Sequence, residues 1–214
     1  MKRNNILTMI FIAVMAVLAA VSYFYLPEQI PIHWNAEGEI DNYAGRLFIF
    51  LPPVLGAGTV LLLKFTRRID PRSDNYSRFQ KSYDLFGVLL CGLFLVLEAV
   101  TIYSSFYPEV KLVDKVVPFS IGLMFLVIGN MMPKFRPNYF VGIKTPWTLA
   151  NEEVWTKTHR MAGRLWFAGG LVIAAVSFIG TGTMRAIVFG VVTAVLVIIP
   201  LLYSYLAFRK FKKE

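Results

Sequence analysis

Cysteine occurs once in the 214 residues and histidine twice. A lone Cys91 excludes an intramolecular disulfide and any zinc site built from several thiolates, and His33 and His159 are too few for an imidazole-rich centre. No metal and no other cofactor is expected. Charge is also scarce: 16% of residues are Asp, Glu, Lys or Arg, against 57% hydrophobic and 15% aromatic, with a mean hydropathy of +0.59. So few charged side chains cannot cover the surface of a water-soluble globule carrying that much apolar side chain. The solvent for most of this chain is lipid.

What is present is a series of uncharged apolar runs, Ile6–Leu26, Leu47–Leu63, Leu85–Tyr107, Val116–Met132, Leu165–Ile179 and Ala186–Phe208. They predict an all-α integral membrane protein of six transmembrane helices. The first run, at about 1.5 Å per residue, reaches across a hydrocarbon core of roughly 30 Å. A cleaved signal peptide is the competing reading of that run, but it is longer than the usual apolar region of one, and Tyr23, Phe24 and Tyr25 occupy the expected cleavage site. One membrane domain is expected, divided for description into residues 1–64, 65–134 and 135–214.

The formal charge of +9 reports orientation. With a cytoplasmic N-terminus, 18 of the 22 Lys and Arg fall in inner segments and only Arg46, Lys111, Lys115 and Arg185 lie outside. This is a strong positive-inside bias and predicts cytoplasmic N- and C-termini. Juxtamembrane Lys and Arg are then engaged with anionic lipids, so direct nucleic-acid binding is not expected. Pro52–Pro53 and Pro118 predict helix starts or kinks. Small-residue contacts are expected at Gly56 and Gly58, Ala16 and Ala20, and Gly169 and Gly170.

Three groups of residues carry candidate chemistry. Glu98 sits mid-span, where an acidic side chain costs about 2.5–3.5 kcal/mol on insertion scales. It is either a proton or cation site or a protonated group hydrogen-bonded through a neighbour such as Thr101 or Ser104. Asp84, at the inner start of the same run, is expected to be a helix N-cap or an N-terminal charge. Between the first two spans, Pro27 to Arg46 predicts a small extracellular hairpin or cap. Ile30, Ile32 and Trp34 alternate there, and Asn35 to Gly38 supply a turn. His33, Asn35, Asp41 and Arg46 are either a ligand-contacting polar cluster or turn-satisfying residues flanked by interfacial Trp34 and Tyr43. In the second inner loop Asn151 is expected to cap a helix that opens with Glu152 and Glu153. Val154, Trp155, Thr158, Met161, Ala162 and Leu165 would share one face, and Lys157, Arg160 and Arg164 the other. The expected setting is an amphipathic helix on the cytoplasmic membrane interface, running into span five. No G-x-S-x-G, H-E-x-x-H, P-loop or dinucleotide fingerprint occurs, so an enzyme is unsupported.

Both loops carry a resemblance. Pro27, Ile30-Pro31, His33-Trp34-Asn35, Gly38, Asp41 and Arg46 look like a domain of unknown function found at the N-terminus of many SdpI/YfhL-type bacterial immunity membrane proteins. Gly142-Ile-Lys-Thr-Pro-Trp-Thr-Leu149, with Trp155, His159-Arg160 and Gly163, resembles the signature segment of that family. The resemblance implies a protein of the bacterial plasma membrane that protects its host from a secreted antimicrobial peptide or protein toxin. It also implies a possible cytoplasmic transcriptional repressor as partner. On this reading His33, Trp34, Asn35, Gly38, Asp41 and Arg46 face the toxin, while Gly142, Lys144, Thr145, Thr148, Trp155, His159 and Arg160 stabilise the cytoplasmic segment or meet a partner. The alternatives from other classes are a small proton-coupled transporter or flippase-like protein working through Glu98, and a membrane enzyme using His159.

Overall fold

The computed structural model describes residues 3–212. Its elements in chain order are α1 (Arg3–Ser22), β1 (Gln29–Trp34), β2 (Ile40–Gly45), α2 (Leu51–Ile69), α3 (Tyr76–Phe106), α4 (Val113–Met131), α5 (Pro146–Ala150), α6 (Glu152–Val176) and α7 (Gly182–Phe211). Short 3-10 turns at Arg46–Phe50, Ser73–Asn75 and Met132–Lys134 join them. Among the described residues five helices are long and apolar enough to cross a membrane: α1, α2 with its preceding turn, α3 with its preceding turn, α4 with its following turn, and α7. The sixth expected span lies in α6, which falls outside that set. Its first half carries Glu152, Glu153, Lys157, Arg160 and Arg164, and its uncharged stretch begins only at Leu165.

Local sequence explains several boundaries. Pro52 and Pro53 open α2, where proline lacks only a donor that the first turn would leave unused. Pro118 is accommodated inside α4, one turn past its start. Asn151 caps α6 as expected, its Oδ1 accepting the N–H groups of Glu153 and Val154 at 2.8 and 2.9 Å. Asp84 does not cap α3. The helix begins eight residues earlier, after a turn held by Asp70, and Asp84 lies in its interior accepting a 2.6 Å bond from Gln80 Nε2.

The helices separate into two packing groups, α1–α2–α3 and α4–α6–α7. Within the second, α4 and α6 approach backbone to backbone. Gly122 and Gly129 on α4 meet Gly163 and Gly170 on α6, and a Cβ on Gly122 would lie 2.7 Å from the nitrogen of Ala174. In lipid, where no hydrophobic force drives helices together, such close approach supplies dispersion contacts that larger side chains would prevent. Of the expected small-residue contacts, Gly56 packs against Met15 and Ile12, and Gly169 and Gly170 are likewise enclosed. Gly58 faces open space and Ala16 and Ala20 are exposed, Thr8, Met15 and Ala19 being the residues α1 buries.

An aromatic core joins the two groups at the end that carries the chain termini. Tyr76, Phe79 and Tyr83 of α3 are buried with Met131, Met132, Phe135, Trp155 and Ala162. This changes the reading of α6. Its apolar face is covered mainly by α4 and α7 and by the protein's own loop, so its amphipathic pattern marks burial inside the molecule.

Candidate functional site

Two loop assemblies and one buried carboxyl hold the candidate residues. The first assembly is the hairpin of β1 and β2, paired antiparallel with an irregular register from Pro31 to Trp34. That irregularity breaks the expected alternation: Ile30 is fully buried against Ala19, Leu26 and Ile49, whereas Ile32 is exposed. Asn35 shapes the turn. Its Oδ1 accepts the N–H groups of Glu37 and Glu39, both at 3.0 Å, its Nδ2 donates to Glu39 Oε2 at 3.0 Å, and Gly38 takes a φ of +77° that favours glycine.

The turn is tied to the other helix group. Glu39 pairs with Lys111 at 2.8 Å, and Thr183 Oγ1 at the start of α7 donates to Glu37 Oε1 at 2.5 Å. Lys111 and Asn35 hold the Glu39 carboxyl below its usual range, and Glu39 in turn raises Lys111. Directly beneath Gly38 sits Asp114, in a buried ion pair with Arg185 whose side chains are 4% and 6% exposed. The Arg185 guanidinium also donates to the carbonyls of Asp114, Ile179 and Gly180, so the cation is almost fully enclosed by oxygen acceptors.

His33 Nδ1 lies 2.6 Å from Asp41 Oδ1, and both side chains are open to solvent. Arg46 stands apart from this pair, its guanidinium 4.8 Å above the ring of Tyr23. The expected cluster is therefore two features: a His33–Asp41 pair on the hairpin surface, and an Arg46–Tyr23 stack where the hairpin joins α1. Trp34 is half-buried at the end of β1.

The second assembly is a knot formed by residues 135–159. Asn138, fully buried, satisfies all its hydrogen-bonding capacity within the loop: Oδ1 accepts from Phe140 and Val141, and Nδ2 donates to the carbonyls of Arg136 and Val141. Asp70 reaches in from the end of α2, accepting from Tyr76 Oη at 2.7 Å, Tyr139 N at 2.9 Å and Arg72 N at 2.8 Å. Thr145 and Thr148 form a reciprocal capping box for the five-residue α5, and Thr145 Oγ1 donates to Ser204 Oγ of α7 at 3.1 Å.

His159 is the pivot of the knot. Nδ1 donates to the Trp155 carbonyl at 2.9 Å and Nε2 accepts from Ile143 N at 3.0 Å, a pattern only the neutral ring can make. Burial pushes its pKa down to about 4. The ring stacks on Trp155 at 4.1 Å, and Trp155 Nε1 donates to the Phe135 carbonyl at 3.0 Å. Among the expected residues, Gly142, Thr145, Thr148, Trp155 and His159 are thus brought together inside the protein, while Lys144 and Arg160 are exposed on its surface. A buried neutral imidazole with both nitrogens engaged is a structural group here, not a free acid or base.

Sequence reading missed Asp70, Tyr76, Asn138 and Ser204. The only local sign was an acid, Asp70, standing among Arg67, Arg68 and Arg72, and an Asn following Pro137. Glu98 is fully buried in α3, with neither carboxyl oxygen hydrogen-bonded among the described residues. The expected bond to Ser104 is absent, and Ser104 Oγ is itself without a partner among the described residues.

Residues 134–204 match the SdpI/YfhL protein family, and residues 10–57 match a domain of unknown function, DUF1648. The first segment contains the knot, and the second contains the hairpin. The chain is 27% identical to the protein named Immunity protein SdpI from Bacillus subtilis (strain 168) over 208 residues, 97% of this chain and 97% of that one. The resemblance read from the two loops thus holds in both segments, and the chain is a multi-pass protein of the bacterial plasma membrane. No solved structure matches it significantly.

Proposed function

We propose that this chain is an immunity protein that protects a bacterium from a secreted antimicrobial peptide or protein toxin, and that it acts as a binder and not as a catalyst. The similarity to Immunity protein SdpI along 97% of both chains carries this reading. In it the chain crosses the membrane six times with cytoplasmic termini. The sixth crossing is the part of α6 beyond the knot, residues 160–176, which reaches about 26 Å at 1.5 Å per residue and approaches a hydrocarbon core of roughly 30 Å with Arg160 and Arg164 extending to the headgroups. The 18-to-4 distribution of Lys and Arg supports that orientation.

The hairpin then faces outward and meets the toxin through His33, Trp34, Asn35, Asp41 and Arg46, with Gly38 fixing the turn. Hairpin residues held by the α4 and α7 ends form a defined surface instead of a mobile loop. The knot faces the cytoplasm, where Gly142, Thr145, Thr148, Trp155 and His159 hold its shape. Exposed Lys144 and Arg160 offer charge to anionic lipids or to a transcriptional repressor. A second reading, a proton-coupled transporter, is favoured by one observation, the buried carboxyl of Glu98 without a hydrogen-bond partner among the described residues.

The test is survival of a sensitive strain expressing the protein at verified membrane levels, challenged with secreted peptide fractions of Bacillus subtilis strain 168 and its relatives. Protection that disappears with His33→Ala/Asp41→Ala supports a toxin-facing hairpin. Protection unchanged by variants in both loops contradicts it.

A further inference from the structure

At the end of the molecule that carries the termini, α1, α2 and α3 enclose a cavity of about 490 Å³. It lies away from the hairpin and the knot. Its polar wall holds Lys64 and Arg67 from the last turns of α2, and Asp84 from α3. Met9, Val60 and Leu63 supply an apolar wall.

The charges in this cavity do not pair with one another, and Lys64 at its rim is exposed. Neither Lys64 nor Arg67 forms an ion pair or hydrogen bond among the described residues. Asp84 accepts from Gln80 through Oδ1, and its buried Oδ2 has no partner among the described residues. Of the other polar neighbours, Thr8 donates to the carbonyl of Asn4 and Tyr83 Oη to that of Leu63, while Asn5 is exposed at the start of α1. Two cations and a carboxylate oxygen that share a cavity without pairing with one another leave room for a group that is anionic at one point and a donor at another. A buried carboxylate oxygen without a donor is costly, so an occupant that supplies one is stabilised there.

We propose that this cavity binds a membrane glycerophospholipid whose headgroup combines a phosphodiester with a terminal hydrogen-bond donor, as an ethanolamine or glycerol headgroup does. The phosphodiester sits against Lys64 and Arg67, the ammonium or hydroxyl donates to Asp84 Oδ2, and an acyl chain follows Met9, Val60 and Leu63. Charge complementarity and the adjoining apolar wall both favour a lipid over a soluble phosphate, because the latter leaves that wall unfilled. The assignment rests on the membrane reading of α1 to α3 and not on immunity or orientation.

The purified full chain in detergent, titrated with phosphatidylethanolamine, phosphatidylglycerol and phosphatidylcholine and read by native mass spectrometry, tests it whatever the toxin. Phosphatidylethanolamine and phosphatidylglycerol are expected to bind about tenfold more tightly than phosphatidylcholine, whose choline offers no donor. Asp84→Asn should bring the three lipids together, and Lys64→Gln/Arg67→Gln should weaken all of them. Melting in lipid-free detergent establishes that the variants fold. Equal binding of phosphatidylcholine by the parent, or undiminished binding by the double variant, overturns the proposal. Displacement of the lipid by soluble glycerophosphoethanolamine at matching concentration overturns the lipid assignment.

Discussion

Gly142 and His159 occupy space that no larger pair could share. Gly142 has a φ of +109°, and a Cβ built there would run into His159 Nε2, the atom that accepts the Ile143 N–H. The glycine and the histidine of the signature segment are therefore one feature, a backbone brought close enough to be held by a buried imidazole.

Gly142→Ala should break that contact and strain the backbone as well. The expected loss is about 2 kcal/mol or more, taking the cost of a non-glycine residue at a positive φ together with a displaced buried ring. Unfolding in detergent with increasing dodecyl sulfate measures it. Lys144→Gln and Arg160→Gln, being on the surface, should unfold like the parent, and an unchanged Gly142→Ala would contradict the packing described.

His159 sets a pH dependence. Its folded pKa, lowered to about 4 by burial, lies below the ordinary value near 6.5. Between those values the unfolded chain binds the proton that the folded chain refuses, so stability is complete above about pH 6.5 and declines as pH falls toward 4. The full window is worth about 3 kcal/mol. Unfolding titrations from pH 7 to 4 should show this slope in the parent and lose most of it in His159→Gln; the same slope in both would assign it elsewhere.

The fold was legible where the signal is local. Apolar runs located the five helices long and apolar enough to cross a membrane, Asn151 with Glu152 and Glu153 announced the start of α6, and Asn35 to Gly38 announced the hairpin turn. Long-range closure was not legible. Asp70 binds the backbone of Tyr139 and Thr145 binds Ser204, contacts set by tertiary packing that leave no periodic trace. The α6 periodicity showed that one face is buried but not that protein, rather than lipid, buries it. The hairpin's polar residues were recognised as a set, yet Arg46 opens the 3-10 turn at the base of the hairpin and stacks on Tyr23, away from the His33–Asp41 pair.

Asp114 and Arg185 should behave as an enclosed ion pair. Removing one partner, as in Asp114→Asn or Arg185→Met, leaves the other charge or its acceptors uncompensated and should cost about 3–5 kcal/mol. Replacing both with apolar residues should cost less than the sum of the single changes. Since Asp114 lies under Gly38, the single variants should also expose the hairpin to limited proteolysis. Additive losses with an unaltered hairpin would contradict the coupling.

Glu98 offers a contrast between packing and function. Its carboxyl makes no hydrogen bond among the described residues, so Glu98→Gln should fold normally and Glu98→Leu should be as stable as the parent or more so. If both variants keep full protection, the carboxyl plays no part in immunity. If both fold yet lose protection, the transport reading gains at the expense of simple binding.

The central claim is protection through the outward hairpin. The most direct measurement compares survival curves of a sensitive strain carrying the parent protein, the His33→Ala/Asp41→Ala variant, or no protein, under the same secreted peptide and at equal membrane levels. The account predicts survival with the parent and death with the hairpin variant at a dose close to that of the empty strain. Equal survival of variant and parent, or death of both, contradicts it.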